Sequence, residues 1–183
     1  SDQKELYKQA ADFARAKMNK NLIEEDQQST FSREKWRACG EMGFLGLQIP
    51  DKYGGLELDA ISCAYTLEGF GYGCKENGIF LSIGAHLWAV EMPILLYGNQ
   101  AQKEKYLPKL SSGEWVGAHA ISEPQAGSDA MSMSSTVTYE NEFAILNGRK
   151  TFVTNAPVAD LFIVFATSSK KHGFAAINCF VVD

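Results

Sequence analysis

The spacing of hydrophobic positions changes character beyond the middle of the chain. In the first part apolar residues recur every three to four positions, as from Leu6 to Met18, and this spacing predicts helices. After Gly113 the spacing changes to two, among β-branched and aromatic residues, which predicts strands. The pattern therefore predicts an all-α domain over residues 1–112 and a β-rich domain over residues 113–183.

The helical part divides into five predicted helices. Capping residues, glycines and prolines give them approximate limits of 2–18, 32–42, 59–70, 79–97 and 101–106. Asp59 is expected to cap the third helix, and Asn99 with Gln102 to form a capping box before the fifth. The fourth is apolar on every side, so we expect the other helices to surround it. It approaches the length of a bilayer span, but His86, Glu91 and Pro93 interrupt it, which favours a buried helix over a membrane span. We expect Pro93 to kink this helix and Pro108 to stop the next one.

Six strands are predicted in the second part. They cover Trp115 to Ile121, Ser135 to Tyr139, Phe143 to Leu146, Lys150 to Thr154, Leu161 to Ala166 and Ala175 to Val182. Asn147-Gly148 is typical of a two-residue hairpin turn between the third and fourth. In such a strand Phe152 and Thr154 would share one face. The last strand runs to the end of the chain with an apolar edge uncovered, so we expect the chain to be a fragment.

Composition and charge narrow the class of protein. The 17 Lys and Arg against 22 Asp and Glu give a net charge of −5, which disfavours nucleic acid and anionic lipid as partners. The four cysteines form no CxxC pair, so we expect buried, reduced thiols. His86, His119 and His172 lack further ligands at metal spacing, so no metal site is predicted. No signal peptide is visible at the start of the sequence.

The segment from Ala118 to Asp129 carries the strongest chemical signal. A predicted strand runs there into a loop of small and polar residues, whose N–H groups and hydroxyls suit a phosphate or the edge of a heteroaromatic ring. Gly127 would let a ligand approach the backbone, while Ser122 and Ser128 add hydroxyls. The same residues also suit a tight β-turn in which serine and aspartate side chains bond their own backbone. Taken alone, the segment leaves both interpretations open.

Five segments, in order, resemble the acyl-CoA dehydrogenase superfamily. Ile121 to Asp129 is similar to its flavin-binding signature. The other four are Pro50 to Gly55, His86 followed by Pro93-Ile94, Gly98 to Pro108, and Asn147 to Lys150 leading into Phe152 to Ala156. The resemblance covers nearly the whole chain. It implies a helical N-terminal domain, an antiparallel β-barrel-like middle domain and a C-terminal helical domain that this chain lacks.

FAD is the cofactor that the resemblance implies. By matching motif positions, the cofactor-binding residues would be His119, Ala120, Ile121, Ser122, Gly127, Ser128, Phe152, Val153 and Thr154. Ser122 would offer a hydroxyl to the N1/O2 edge of the flavin, Thr154 would reach toward N5, and Phe152 would pack against the ring face. Ser128 would also bind the substrate near its pantetheine arm. Phe152 stands where the family often has Trp, and Gln125 where Gly is common.

The implied reaction is α,β-dehydrogenation of an acyl-CoA thioester. A carboxylate would remove the α-proton while flavin N5 accepts the hydride from Cβ. The resemblance places that carboxylate beyond residue 183, so no catalytic residue is assigned within this chain. Acyl-CoA oxidases, acyl-carrier-protein dehydrogenases and flavin monooxygenases share the scaffold. A non-catalytic scaffold that binds an acyl ligand is a further alternative.

The resemblance also implies partners and a setting. The substrate would be a thioester of CoA or of an acyl carrier protein, and an electron-transfer flavoprotein would take the electrons. Family members are commonly homotetramers or homodimers. We expect a role in fatty acid metabolism, in the cytoplasm or, in a eukaryote, in the mitochondrial matrix.

Overall fold

A computed structural model describes residues 2–183. The chain folds as two compact units, which meet between Val116 and Gly117 along the sequence. The predicted fold class is confirmed, because the first unit is helical and the second is built on one β-sheet. The two units are described separately below.

Seven α-helices form the described part of the first unit. They are α1 (Asp2–Lys17), α2 (Leu22–Gln27), α3 (Arg33–Glu41), α4 (Ala60–Gly73), α5 (Asn77–His86), α6 (Met92–Tyr97) and α7 (Gln100–Ser111). The predicted caps are present: the Asp59 carboxylate accepts from the N–H of Ser62 at 2.8 Å, and Asn99 and Gln102 form a reciprocal capping box. The short α2 was not predicted, because six residues carry too little periodicity to be recognised.

Close contact between α1 and α4 depends on two glycines of α4. A Cβ atom on Gly69 would lie 2.2 Å from the carbonyl oxygen of Tyr7, and one on Gly73 would lie 2.2 Å from that of Ala11. Only hydrogen at these positions lets the two backbones approach. The approach brings Phe70 of α4 into the core, where the side chain is fully buried.

The predicted long apolar helix is interrupted by a π-helical turn. Leu87–Glu91 forms this turn between α5 and α6, and the N–H of Met92 donates to the carbonyl of Leu87. Pro93 follows directly and has no N–H to donate, so the irregularity expected at this proline is located here.

The stretch Asn77–Tyr97 is not buried on every side, so that prediction is wrong. The buried residues recur at helical spacing along one face, whereas Leu81, Trp88 and Tyr97 are exposed. The reason is that the described helices of this unit cover only that one face. By length and composition alone this helix could cross a membrane, but core helices of soluble proteins can have the same length and composition. The buried face carries His86 and Glu91, as expected of a helix packed against protein.

Pro108 does not stop α7, which continues to Ser111. The prediction was wrong because it considered only the lost backbone hydrogen bond. Leu107 and Leu110 are fully buried on either side of the proline, and burying a leucine contributes about 1.5 to 3 kcal/mol. Tertiary packing therefore carries the helix through the proline.

A five-stranded mixed sheet forms the second unit. Its strands are β1 (Gly117–Ala120), β2 (Thr136–Glu140), β3 (Phe143–Asn147), β4 (Leu161–Thr167) and β5 (Ile177–Val182), and the order is β1-β4-β2-β3 with β5 also paired to β4. β1 pairs with β4 in parallel, from Gly117 opposite Leu161 to Ala120 opposite Val164. β2 is also parallel to β4, through Thr136 and Thr167, so the pairing is not antiparallel throughout as predicted. Long connections separate these pairs along the chain, and such connections permit parallel pairing.

The hairpin was predicted at the wrong position. The β2–β3 pair is joined by Asn141-Glu142, with Asn141 at φ 54°, whereas Asn147 is the last paired residue of β3 and Gly148 follows it. A Cβ on Gly148 would lie 2.1 Å from the Oγ of Ser135, so this glycine is required for close packing rather than for a turn. The predicted strand over residues 150–154 does not form.

Candidate flavin site

The loop after β1 contains a tight turn. The N–H of Glu123 donates to the carbonyl of Ala126 at 2.9 Å, and the return bond measures 3.1 Å. The β-turn interpretation therefore describes part of this loop, although the Asp129 carboxylate accepts from the Ser132 hydroxyl rather than from the backbone. It does not account for Ser122 and Ser128, whose hydroxyls make no hydrogen bond to any atom of residues 2–183. These two hydroxyls remain available to a ligand.

The second predicted segment lies beside the end of β1. The N–H of Thr151 donates to the carbonyl of Ser122 at 2.9 Å, and the Lys150 Nζ donates to the carbonyl of Ile121 at 3.1 Å. The two parts of the chain expected to contact the flavin are therefore neighbours, although 28 positions separate Ser122 from Lys150 in the sequence.

Phe152 adopts a conformation that is costly for an aromatic residue. Its φ is 54°, in the left-handed region, where a residue other than glycine is less stable by about 1 to 2 kcal/mol. Within the described residues its side chain is 94% exposed, so local burial does not offset this cost. Strained residues of this kind concentrate at binding sites. The predicted shared face of Phe152 and Thr154 has no basis here, because it required an extended strand.

Asn155 ends the segment and anchors it to β1. Its φ is 69°, and its Nδ2 donates to the carbonyl of Gly117 at 3.0 Å. The segment from Lys150 to Asn155 is therefore attached to β1 or its continuation at both ends. Val153 and Thr154 lie between these attachments and are half-buried. The Thr154 hydroxyl makes no hydrogen bond within residues 2–183.

The other predicted cofactor-binding residues lie on β1 and at the tip of its loop. His119 is half-buried, and its ring lies 5.2 Å from that of Phe165, centroid to centroid. Burial lowers the pKa of His119, which favours the neutral imidazole. Ala120 is buried, whereas Gly127 is exposed and no atom lies within 4 Å of the place a Cβ would occupy. A ligand can therefore reach the backbone at Gly127.

Glu123 is buried in the turn and serves as a hydrogen-bond acceptor. Burial by itself would raise the pKa of this carboxyl, but hydrogen bonds from Lys150, Ser134 and Ser135 lower it well below its usual range. A carboxylate held in its ionised form by these donors is a poor proton acceptor. Glu123 is therefore unsuited to be the catalytic base. Lys150 lies in a motif but was not predicted as a site residue, so it is the residue of this site that sequence reasoning missed.

Another buried polar cluster lies in the first unit. The Glu91 Oε1 accepts from the Ser111 hydroxyl at 3.1 Å and lies 3.7 Å from the His86 Nε2, which is itself 3.2 Å from the carbonyl of Leu110. Burial raises the pKa of Glu91 well above its usual value and lowers that of His86 to about 4. The imidazole of His86 is therefore neutral near pH 7, and burial favours the protonated form of Glu91. This cluster is a packed element of the core.

The histidine, cysteine and acidic side chains of the described residues form no metal site. Within residues 2–183, no group of three or more His, Cys, Asp and Glu side chains could hold a metal ion. All four cysteines are free thiols. Cys39 and Cys63 are buried and Cys74 is half-buried, but Cys179 is exposed, so the prediction of burial is wrong for that residue. It lies on β5, which pairs only with β4 among the described strands.

The residues present fit a flavin. An exposed aromatic ring at Phe152 offers a stacking surface for the flavin ring system. Uncommitted hydroxyls at Ser122, Ser128 and Thr154 offer hydrogen bonds to ring edges or phosphate oxygens. The open backbone at Gly127 leaves room for a close approach.

Comparison with known families decides the assignment. The model of the acyl-CoA dehydrogenase N-terminal domain matches residues 1–114, and that of the middle domain matches residues 118–183. The chain belongs to the acyl-CoA dehydrogenase family. The sequence-based resemblance is thereby confirmed.

Relatives within this family differ in the thioester that their names specify. The chain is 40% identical over 153 residues to an L-prolyl-[peptidyl-carrier protein] dehydrogenase of Pseudomonas fluorescens, an alignment that covers 83% of this chain and 40% of the relative. It is 39% identical over 167 residues to the mitochondrial isovaleryl-CoA dehydrogenase of Bos taurus, covering 90% of this chain and 39% of the relative. The chain thus spans less than half the length of these acyl-CoA dehydrogenase relatives.

Solved structures of the family superimpose closely on the chain. The prolyl acyl carrier protein oxidase AnaB matches with a TM-score of 0.96 and 45% identity, over 100% of this chain and 48% of that one. PigA with FAD and proline matches with a TM-score of 0.95 and 34% identity, again over 100% and 48%. FAD is the cofactor of the family, which confirms that prediction at the family level.

Proposed function

We propose that this chain supplies the N-terminal and middle domains of an FAD-dependent dehydrogenase of acyl thioesters, which removes one hydrogen from Cα and one from Cβ. The observation that carries the proposal is the attachment of residues 150–155 to the end of β1. This attachment makes neighbours of the two segments that carry the predicted flavin-contacting residues. The hydroxyls in these segments, on Ser122, Ser128 and Thr154, make no hydrogen bond within the described residues.

The residues of the chain have separate roles in this proposal. FAD, when bound, accepts the hydride that leaves Cβ. Ser122 and Thr154 donate hydrogen bonds to its ring edges, and Phe152 contacts the ring face. Ser128 lies at the tip of the same loop and is exposed, so it is also available to the thioester arm. Oriented donors of this kind stabilise negative charge best where water is excluded.

We place the catalytic base outside residues 1–183. Glu123, which directly follows Ser122, is held in its ionised form by its donors. Glu91 is fully buried and hydrogen-bonded to Ser111. Neither is poised to take a proton from a substrate carbon.

A carrier-protein thioester is the second candidate substrate, beside an acyl-CoA. It is favoured by the names of the relative from Pseudomonas fluorescens and of AnaB, which are 40% and 45% identical to this chain. The name of the isovaleryl-CoA dehydrogenase, which is 39% identical to this chain, favours an acyl-CoA to a similar degree. As a dehydrogenase, the parent protein would pass its electrons to a second flavoprotein, and it would assemble as a homotetramer or homodimer.

The test uses the full-length protein loaded with FAD, under anaerobic conditions. Isovaleryl-CoA, butyryl-CoA and a prolyl-carrier protein are mixed with it separately, and loss of the visible flavin absorbance is followed. We expect at least one thioester to bleach the flavin, whereas free isovalerate and free proline, the matched controls, do not. Absence of bleaching with every thioester would refute the dehydrogenase proposal. Rapid peroxide formation on admitting oxygen would identify an oxidase instead.

A further inference from the structure

A buried ion pair joins the two segments of the candidate flavin site. The Lys150 Nζ lies 2.8 Å from the Glu123 Oε1 and also donates to the carbonyl of Ile121. The Glu123 side chain is fully buried, and that of Lys150 is 12% exposed. We call this arrangement the Lys150–Glu123 clasp.

The Glu123 carboxylate also holds a third segment of the chain. Its Oε2 accepts from the N–H of Ser134 at 2.6 Å and from the Ser134 hydroxyl at 2.7 Å, while its Oε1 accepts from the N–H of Ser135 at 2.9 Å. Gln125 donates to the same Oε2 at 2.9 Å. The clasp therefore fixes the β1 continuation, the start of residues 150–155 and the approach to β2 around one carboxylate.

Stability alone is a weak reason for such a pair. Removing two charges from water is unfavourable, and apolar residues of the same volume often give equal or greater stability. An ion pair with directed hydrogen bonds differs from an apolar contact because it fixes the position of the groups it joins. The clasp is thus suited to control geometry.

Two predicted flavin contacts adjoin the clasp along the chain. Ser122 lies between Ile121, whose carbonyl Lys150 holds, and Glu123, whose carboxylate Lys150 holds. Phe152 follows Lys150 by two residues and is held in the left-handed conformation. Within the described residues, loss of the Lys150 bonds would leave Ser122 and Phe152 restrained near the end of β1 only by the Thr151 N–H on the Ser122 carbonyl.

We propose that Lys150 and Glu123 are positioning residues for FAD, which hold Ser122 and Phe152 in the binding geometry before the cofactor arrives. Neither residue needs to touch the cofactor. The inference rests on the proposed function, and it adds that the site is organised in the cofactor-free protein by this ion pair. Pre-organisation of this kind lowers the cost of binding.

The first measurement is FAD affinity in the full-length protein. Lys150→Met keeps the aliphatic stem and removes the charge, and we expect it to raise the FAD dissociation constant by about tenfold to a hundredfold, because small displacements of binding groups are costly. The visible circular dichroism of the bound flavin should change as well. Lys150→Arg, which keeps the charge and several donors, should restore affinity to within about threefold. Arg149→Met is the matched control, since Arg149 is adjacent and exposed, and its affinity should equal that of the unaltered protein.

The second measurement is hydrogen exchange in the protein without FAD. In Lys150→Met, peptides covering residues 121–123 and 150–154 should exchange faster, while those of the first unit should not. If the unaltered protein bound no FAD, the proposed function would fail, and this exchange pattern would still decide whether the clasp organises the loops. A lower melting temperature with unchanged affinity, dichroism and exchange would make the pair merely structural and overturn the proposal.

A double variant that removes both charges controls for misfolding of the single variant. Lys150→Met leaves a buried carboxylate without its cation, which could prevent folding. Glu123→Gln combined with Lys150→Met leaves no buried charge, and the same loss of affinity and faster exchange are expected. Normal affinity in this double variant would also overturn the proposal.

Discussion

Phe152 is the residue at which stability and binding should respond in opposite directions. Replacing it with glycine removes a left-handed strain of about 1 to 2 kcal/mol. Glycine has a larger conformational entropy in the unfolded chain, which subtracts about 0.5 to 1 kcal/mol. The phenyl ring is 94% exposed in the described residues, so little burial is lost. The net expectation is a cofactor-free protein more stable by about 0.5 to 1 kcal/mol, and by about 2 °C in melting temperature.

The same change should weaken FAD binding if Phe152 contacts the flavin. Burying a phenylalanine side chain is worth about 1.5 to 3 kcal/mol, and each 1.4 kcal/mol is about tenfold in affinity. We therefore expect the dissociation constant for FAD to rise by about tenfold to a hundredfold in Phe152→Gly. Fluorescence titration of FAD into the cofactor-free protein measures this quantity. Phe152→Trp should retain affinity, because it keeps an aromatic face.

Phe174→Gly provides the control for both measurements. Phe174 is also exposed, at 75%, but its φ is not positive. We expect this variant to lose about 0.5 to 1 kcal/mol of stability and to keep its FAD affinity. If Phe152→Gly destabilised the protein as Phe174→Gly does, the strain argument would be wrong. Unchanged FAD affinity in Phe152→Gly would show that the ring does not contact the cofactor.

Two further predictions concern the helical unit. Gly73→Ala should lower the free energy of unfolding by about 1 to 3 kcal/mol, since its Cβ would lie 2.2 Å from a backbone oxygen. Gly84→Ala, with open space around it, should raise that free energy by about 0.5 to 1 kcal/mol. Equal effects of the two variants in urea unfolding would refute the close-contact argument. Burial lowers the pKa of His86 from 6.5 to about 4, so its contribution to the stability of the fold is fully present above pH 6.5 and is lost as the pH falls toward 4. The raised pKa of Glu91 has the opposite effect, because its contribution is lost as the pH rises. The stability difference between the unaltered protein and His86→Gln should therefore grow by about 1.4 kcal/mol per pH unit from pH 4 to 6.5, and a constant difference would contradict the burial of a neutral imidazole.

Features set by neighbouring residues could be predicted from the sequence. The caps at Asp59 and Asn99 depend on groups only three positions away, and both form as expected. The fold class could also be predicted, because the change from helical to alternating spacing of apolar residues indicates which side chains face a core. Pro108 shows the limit of local reasoning, since buried leucines on both sides keep its helix intact.

The candidate site was predictable as a set of residues but not as a geometry. The motif positions indicated Ser122 and Phe152, and their roles toward FAD stay predictions. The left-handed backbone of Phe152 has no signal in the sequence, because aromatic residues normally favour strands there. The contact of Glu123 with Lys150 joins positions 27 apart, and no periodic pattern reports such a contact.

The parallel pairing of β1 with β4 has a consequence for how the second unit folds. The forty residues from Ile121 to Asp160 form one closed loop between these strands, and they contain every predicted flavin contact except His119 and Ala120. Closing a loop of this length costs about 3 kcal/mol of chain entropy, which the pairing of β1 with β4 must offset. Both strands must be synthesised before the loop that carries the site can close. Folding of this unit should accordingly be slow for its size, as expected when distant segments must meet first.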